Sequence, residues 1–252
     1  MLLLKAAAIA CVLAAAPEGV SAAPVKDASL EATVTSLTKF VRVKRAGKKK
    51  YFNAEAGMSL KEGDRIYTLD KGKCELAFSG AHIVRLGPNS HMVISRYSRT
   101  RGSGRILLHL LKGRVRALIN RARGDGEDFG IFGAMTVTAV KGTDYEVFRK
   151  LDGSVLVSVM EGRVLVGEIE NEEPDQVERI FMALLMRQIG SVLMEGHQME
   201  FVPGKGFPAP IPLPPGWFDI WGIGKDKDAA KKSPSSPAAP AIPRLPRGGG
   251  FP

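Results

Sequence analysis

The chain is poor in cysteine, and its two cysteines, Cys11 and Cys74, lie in different kinds of segment. Cys11 falls within an apolar run near the start of the chain. Cys74 alternates with Leu76 and Phe78, a spacing typical of one face of a β-strand. If the first segment is removed, Cys74 has no partner for an internal disulfide. A buried, inert thiol is favoured there over a reactive or intermolecular one.

The sequence also lacks the motifs of the common catalytic and metal sites. Its four histidines show no paired metal-ligand spacing, and there is no nucleophile elbow and no glycine-rich phosphate loop. Turn carboxylates such as Asp64, Asp144 and Glu161 keep a secreted hydrolase as a third reading, although acidic residues are ordinary in turns. We therefore expect no enzymatic activity, no cofactor and no bound metal.

Beyond its start the chain has no apolar run of the roughly 18 residues that would suggest a membrane helix. Residues 1–22 have the features of a secretory signal: Lys5, an apolar run over 6–16, a break at Pro17 and a cleavage site after Ala22. Lipidation of Cys11 is the alternative. The mature protein is expected to be periplasmic or secreted, without a transmembrane segment.

Positive charge exceeds negative charge, with 36 Lys and Arg against 26 Asp and Glu and a net charge of +10. Such a field favours anionic partners, and outside the cytoplasm these are envelope polymers and lipid head groups rather than nucleic acid. A merely solvated cationic surface is the alternative. The densest basic cluster, and the candidate contact for an anionic partner, comprises Arg42, Lys44, Arg45, Lys48, Lys49 and Lys50.

Short segments of strand type follow one another along the chain. They cover residues 65–69, 74–78, 82–86, 91–97, 105–111, 114–119, 129–139, 145–150, 155–160 and 163–167. Turn residues separate them, and the structural turn positions are Gly63, Asp64, Gly87, Asn89, Gly113, Gly142, Thr143 and Gly162. The pattern predicts an all-β, mainly antiparallel domain, either a sandwich of jelly-roll type or a β-roll.

The pattern changes after residue 170. Apolar spacings of three and four predict an amphipathic helix over 171–195, capped by Asn171 and packed on the β core rather than on a partner. Residues 196–223 are expected to form a final strand and a segment rich in proline and aromatics, in which Trp217 and Trp221 are candidate contacts for a partner or ligand. Residues 224–252 have the composition of a disordered basic tail.

Five motifs together carry a resemblance to a known family. They lie at residues 60–68, 83–90, 111–115, 140–147 and 157–164, and their order and spacing resemble the FecR domain family over residues 32–166, within a domain expected at 23–170. The resemblance implies a non-catalytic extracytoplasmic module that binds protein or carbohydrate. The founding architecture adds a cytoplasmic sigma-regulating segment and a membrane helix. Neither is expected here, so transmembrane iron-uptake signalling is not carried over.

Two functional hypotheses of different classes follow. The first is a binding or scaffold module of the cell envelope that holds an anionic polymer or an envelope protein. The second is a ligand sensor that relays a signal to an envelope partner, with Trp217 and Trp221 near the ligand or the partner.

Overall fold

A computed structural model describes residues 31–38, 40–79, 81–100, 103–120, 127–187, 190–217 and residue 221. The predicted signal, 1–22, and the predicted tail, 224–252, lie outside the described residues. The elements within them are β1 (Ala32–Leu37), β2 (Val41–Lys44), β3 (Phe52–Asn53), β4 (Ser59–Leu60), β5 (Arg65–Thr68), β6 (Cys74–Phe78), β7 (His82–Leu86), β8 (His91–Thr100), β9 (Ser103–Leu118), β10 (Glu127–Gly133), β11 (Thr136–Val140), β12 (Asp144–Arg149), β13 (Val155–Glu161), β14 (Arg163–Glu168), α1 (Pro174–Arg187), β15 (Ser191–Met194), β16 (His197–Phe201) and β17 (Ile211–Pro212).

The strands form two layers that share β9. Sheet A has the order β4-β1-β6-β7-β9-β12-β13-β16-β17. Sheet B has the order β3-β2-β5-β8-β9-β10-β11-β14-β15. Neighbouring strands are antiparallel except β9 and β10, which are parallel. The prediction of an all-β, mainly antiparallel fold is therefore confirmed.

One apolar core lies between the two sheets. Alternate residues of each strand enter it, for example Val34 and Leu76 from sheet A and Ile66 and Ile94 from sheet B, all fully buried. This follows from the period of two along a strand, which sends successive side chains to opposite faces. The remaining side chains lie on the two outer faces, and these faces carry the candidate sites.

Strand β9 differs from the prediction of two strands separated by a turn at Gly113. It is one continuous strand that pairs with β8 and β10 in sheet B and, from Gly113 onward, with β7 and β12 in sheet A. Gly113 has φ +87°, and a Cβ atom there would lie 2.4 Å from Ser90 Oγ. Glycine is thus needed where the strand passes from one sheet to the other.

The predicted strand over residues 129–139 is in fact a hairpin of β10 and β11. Ala134 and Met135 form its turn with positive φ angles of 47° and 67°. Residues other than glycine rarely adopt this conformation, so a turn could not be predicted at Ala134 and Met135 from the residue types. Glu172 Oε1 stabilises the turn by accepting a hydrogen bond from Ala134 N at 2.6 Å.

Helix α1 is shorter than the predicted span of 171–195. It ends at Arg187, and residues 191–194 form β15, which pairs with β14. Gly190 has φ +98° and passes so close to Val166 O that a Cβ atom would lie 2.4 Å from it. The chain therefore leaves the helix and joins sheet B. As predicted, the helix packs on the β structure: buried Phe181 and Leu184 contact the outer face of sheet B.

The proline-rich segment lies along the edge of sheet A. Ile211 and Pro212 form β17, which pairs with β16, and Leu213 N donates a hydrogen bond to Gly196 O at 2.8 Å. Within the described part of the chain, no helix is long and apolar enough to cross a membrane.

Candidate functional site

The six basic residues predicted to contact an anionic partner have different environments. Arg45 is held within the fold, because its Nη1 lies 2.6 Å from Asp64 Oδ2 and donates a hydrogen bond to Ser59 O at 2.6 Å. The other five form no ion pair within the described residues: Arg42, Lys44, Lys48, Lys49 and Lys50. All of these are exposed except Lys44, which is half-buried. They are therefore available to an external anion, whereas the charge of Arg45 is already paired with Asp64.

A group of aromatic rings lies beside these cations on the outer face of sheet B. The rings of Tyr67 and His91 stack with centroids 3.7 Å apart, and Tyr51 packs edge-on against Tyr67 at 4.9 Å. The two tyrosine hydroxyls are 2.9 Å apart. Lys44 Nζ lies 5.6 Å from the centroid of the Tyr51 ring, within the range of a cation–π contact. Ring surface and positive charge thus occur together.

Strand register brings these residues into adjacent rows. Arg42 pairs with Tyr67, Tyr67 with His91, and His91 with Lys112; in the next row Lys44 pairs with Arg65. Because partners in register lie on the same face of a sheet, the side chains of β2, β5 and β8 form one surface. We call it the basic–aromatic face: Arg42, Lys44, Tyr51, Arg65, Tyr67 and His91.

The positive charge of this face affects His91. Burial and the nearby charges of Arg65, His109 and Lys44 lower the pKa of His91 from 6.5 to about 4. At neutral pH the ring is therefore uncharged. Its Nε2 atom is buried and has no hydrogen-bond partner among the described residues. A neutral imidazole is compatible with the close stacking on Tyr67.

Cations closer to α1 are neutralised. Arg96 and Arg105 both pair with Glu178 of the helix, at 2.9 Å in the case of Arg96. His109 stacks on Phe132 and contacts Glu172 Oε2 at 2.7 Å. Unlike Arg96 and Arg105, the cations Arg42, Lys44 and Arg65 of the basic–aromatic face and the lysines of the loop before β3 have no ion pair within the described residues.

Arg65, Tyr51, Tyr67 and His91 were not predicted as contacts. They come from three separate segments, and only the strand register joins them to Arg42 and Lys44. A sequence signal existed in part, since Arg65 and Tyr67 alternate with the buried residues of β5.

The candidate contacts Trp217 and Trp221 lie on the opposite side of the molecule, over sheet A. Trp221 Nε1 donates a hydrogen bond to Glu146 Oε2. The guanidinium of Arg114 lies 4.4 Å from the Phe148 ring centroid and 5.5 Å from that of Trp217. The end of the described chain is therefore held on this sheet by an aromatic–cation stack and by one polar contact.

A row of buried polar side chains crosses sheet A at this place. Arg116, Glu146, Ser158 and Gln198 are consecutive partners in register. Each has one buried polar atom without a hydrogen-bond partner among the described residues: Arg116 Nη1, Glu146 Oε1, Ser158 Oγ and Gln198 Oε1. Of these, Glu146 Oε1 still has a charge partner, because Arg114 Nε lies 3.3 Å from it. Burial raises the pKa of Glu146, opposed by Arg114 and by the Trp221 hydrogen bond. Buried polar groups normally have partners, so this row is unusual.

The predicted turn positions have structural roles. Asp64 is buried and accepts hydrogen bonds from the backbone of Lys61 and Ala46 and from Arg45. Asp144, by contrast, does not bond its own turn through its side chain but forms a two-point ion pair with Arg116. Positive φ angles occur at Gly63, Asn89, Gly113, Gly142 and Gly162. Gly87 does not have one, and buried Thr143 donates from Oγ1 to Arg163 O at 2.9 Å.

The described residues contain no group of three or more His, Cys, Asp or Glu side chains that could hold a metal ion. Cys74 is buried, and burial raises the pKa of its thiol to about 12. His82 and Glu127 form a buried pair 2.9 Å apart, and Asn120 N donates to His82 Nδ1 at 3.2 Å. Both nitrogens of His82 are thus engaged within the fold.

Part of the chain is similar to known proteins. The family model described as FecR protein matches residues 64–165. A search of curated proteins found no match. Two crystal structures of a "putative anti-sigma factor" from Parabacteroides distasonis ATCC 8503, at 1.65 and 2.50 Å resolution, are 17% identical to the chain with a TM-score of 0.46. They align with 64% of this chain, and the chain spans 65% and 64% of theirs.

Proposed function

We propose that the chain is a non-catalytic binding module of the cell envelope, exported by residues 1–22, that holds an anionic polymer; the match of residues 64–165 to the FecR protein family model supports this. The observation that supports this proposal is the basic–aromatic face. Arg42, Lys44 and Arg65 have no ion pair within the described residues and adjoin the stacked rings of Tyr67 and His91.

The composition of this face suits a polymer that has both charge and ring-shaped repeats. The three cations attract carboxylate or phosphate groups, and the exposed loop lysines Lys48, Lys49 and Lys50 extend the field beyond the sheet. Tyr51 is 45% exposed and offers an apolar surface on which sugar rings can pack. An acidic polysaccharide of the envelope combines both features.

Binding of the full chain to immobilised alginate, a carboxylated polysaccharide, tests the proposal. Replacement of Lys48, Lys49 and Lys50 by Ala should weaken binding about ten-fold, since each exposed charge contributes about 0.5 kcal/mol. Tyr51→Ala should also weaken it, by about three-fold, through loss of the packing surface. Raising the salt from 50 to 300 mM shortens the Debye length from about 14 to about 6 Å and should release the protein.

A matched control separates the face from net charge. Lys71, Lys141 and Lys205 are exposed lysines elsewhere on the molecule, and their replacement by Ala changes the charge equally. This control should retain binding. An equal loss of alginate affinity in both triple variants would show that only the net charge of +10 attracts the polymer, and it would refute the basic–aromatic face as the binding site. Alginate binding that does not weaken as the salt concentration rises would also refute this binding site.

Cell fractionation tests the proposed location. A tagged chain should appear outside the cytoplasm, shortened by about 22 residues, with cleavage after Ala22 shown by amino-terminal sequencing. An unprocessed chain in the cytoplasm would contradict export and would remove envelope polymers as partners.

A second function, relay of a signal to an envelope partner, has support from sheet A. The Trp221 indole contacts the buried Glu146 carboxylate, so release of the carboxy-terminal segment would uncover a buried polar row. Deletion of all residues after Val202 should then abolish binding of a partner while the β core stays folded. An unchanged interaction after this truncation, measured by affinity capture, would rule the relay out.

A further inference from the structure

A cavity of about 740 Å³ opens on sheet A next to Trp221. Its walls come from the turn after β7, from the bend of β9 at Lys112 and Gly113, and from the end of β12 with the loop that follows it. A volume of this size lies within the range of small-molecule sites. None of the contacts assigned above to the basic–aromatic face lines this cavity.

The lining has charge of one sign. Lys73, Lys112, Arg114 and Arg149 contribute side chains to it, and no acidic residue lines it within the described part of the chain. Lys73 and Lys112 are exposed and have no ion pair there, whereas Arg149 is paired with Glu172 at 3.0 Å. Two cations are thus free to meet a ligand.

Apart from Asn89, the rest of the lining is apolar and includes two aromatic rings. The rings of Phe148 and Trp221 face the cavity, and Leu151 at its rim is 86% exposed. An aliphatic side chain so exposed at the edge of a cavity provides surface that a ligand can cover. The cavity therefore offers a place for a planar apolar group beside a place for a negative charge.

The floor of the cavity is held by hydrogen bonds. Thr68 Oγ1 donates to Gly87 O at 2.5 Å, and Ser90 Oγ both donates to Arg114 O at 3.1 Å and accepts from Arg114 N at 2.9 Å. Preformed sites bind ligands with a smaller entropic cost than sites that must be ordered. These hydrogen bonds hold the floor of the cavity in place without a ligand.

The wall formed by Trp221 is shared with a second cavity. Its indole and Lys73 also line a second cavity of about 290 Å³, which extends toward β1 and β6, so the ring stands between the two spaces. Behind it lies buried Glu146, whose Oε1 accepts no hydrogen bond of good geometry but lies 3.3 Å from Arg114 Nε in an ion pair. A movement of the indole would join the two cavities.

From these features we propose that the cavity binds a small organic anion in which a carboxylate is joined to a flat apolar group. The carboxylate lies between Lys73 and Lys112, and the flat group packs against Phe148, Trp221 and Leu151. None of the residues that define the basic–aromatic face belongs to this site, and the proposal does not rest on polymer binding.

Calorimetric titration of the full chain with 2-naphthoate tests the site. We expect saturable binding with one ligand per chain. Lys73→Gln should weaken it about five-fold by removing one charge contact, and Leu151→Asp about ten-fold or more by placing a like charge at the rim. Both positions are exposed, so folding should be preserved, as thermal melting would verify. Lys205→Gln, an exposed lysine outside the cavity, is the matched control and should bind as the parent chain does.

Two further titrations separate the possible failures. The neutral analogue 2-naphthalenemethanol should bind at least ten-fold more weakly; equal affinity would overturn recognition of the anion. A chain carrying Arg42→Gln and Lys44→Gln should bind 2-naphthoate normally. If those changes weaken binding while Lys73→Gln and Leu151→Asp do not, the anion lies on the basic–aromatic face, and the cavity proposal fails while the polymer proposal stands. Absence of saturable binding to the parent chain would also overturn it.

Discussion

His91 allows the basic–aromatic face to be tested through stability as well as binding. The pKa of this group is lowered from 6.5 to about 4 in the folded protein. The unfolded chain therefore binds a proton at His91 between these values while the folded chain does not. The stabilising contribution is fully present above pH 6.5 and is lost as the pH falls toward 4.

The magnitude follows from the same difference. A change of one pH unit corresponds to about 1.4 kcal/mol, so between pH 7.5 and pH 5 the free energy of unfolding should fall by at most about 2 kcal/mol through His91. Solvent screens a half-buried ring, and about 1 kcal/mol is the expected value. The matched variant is His91→Phe, which retains a flat ring for stacking on Tyr67 but does not titrate.

The assay is urea unfolding of the parent chain and of His91→Phe at pH 7.5 and pH 5. The parent chain should lose about 1 kcal/mol more than the variant between the two pH values. All other titrating groups are common to both proteins and cancel in the comparison. The same loss in both proteins would refute the effect assigned to the charges around His91.

Bound polymer should reverse this effect. An anion close to Lys44 and Arg65 offsets the field of those cations, so alginate should move the pKa of His91 upward from about 4. The ring signal that disappears in His91→Phe identifies the residue in an NMR titration. A pKa unaltered by saturating alginate would place the polymer elsewhere on the molecule.

Three other predictions concern the framework of the two sites. Gly113→Ala should lower the free energy of unfolding by about 2–4 kcal/mol in urea unfolding, because its Cβ would meet the adjoining turn. The control, Gly47→Ala, lies at a positive φ in open space and should cost only about 1 kcal/mol. Equal losses in the two variants would contradict the need for glycine at the bend of β9. Phe181→Ala should lower the free energy of unfolding by about 3–5 kcal/mol, whereas Met186→Ala at the exposed face of α1 should have a negligible effect. A small loss of stability in Phe181→Ala would show that the helix contributes little to the folded state. The Cys74 thiol should resist iodoacetamide at pH 8 until the chain unfolds, as measured by mass spectrometry of its peptide; rapid labelling of the folded protein would disprove its burial.

Strands with strict alternation and clear turns were predictable from sequence. The boundaries of β6 and β7 coincide with those predicted, since apolar residues alternate within each and glycine or proline follows. The turn at Ala134 and Met135 was not predictable, because it has no glycine, asparagine or proline and depends on Glu172 from a distant segment. The positive φ angle of Gly190, where the chain enters β15, likewise depends on its close approach to Val166 O from a distant segment.

The candidate sites were likewise predictable from sequence only in part. A cluster of basic residues along the chain identified Arg42 and Lys44, but it also included Arg45, whose pairing with Asp64 no local pattern reveals. Arg65 and His91 join the face only through the pairing of β2, β5 and β8. The segment that contains Trp217 and Trp221 was identified by composition. Its contact with Glu146 in the middle of a β-strand required the folded structure.

Strand β9 gives the two proposed sites a physical connection. Lys112 lies at its bend, where it is the register partner of His91 in sheet B and also lines the cavity beside Trp221. Two anions that approach one cation from different sides repel each other and compete for its charge. A carboxylate in the cavity should therefore weaken polymer binding. By linkage, the polymer must weaken carboxylate binding by the same factor. If Lys112 is the shared cation, Lys112→Gln should lower the affinity for the polymer and the affinity for the carboxylate. In that variant, neither ligand should change the affinity for the other. Lys73→Gln should lower only the affinity for the carboxylate. The bend at Gly113 would then affect binding as well as packing, since it places the charge of Lys112 next to both proposed sites.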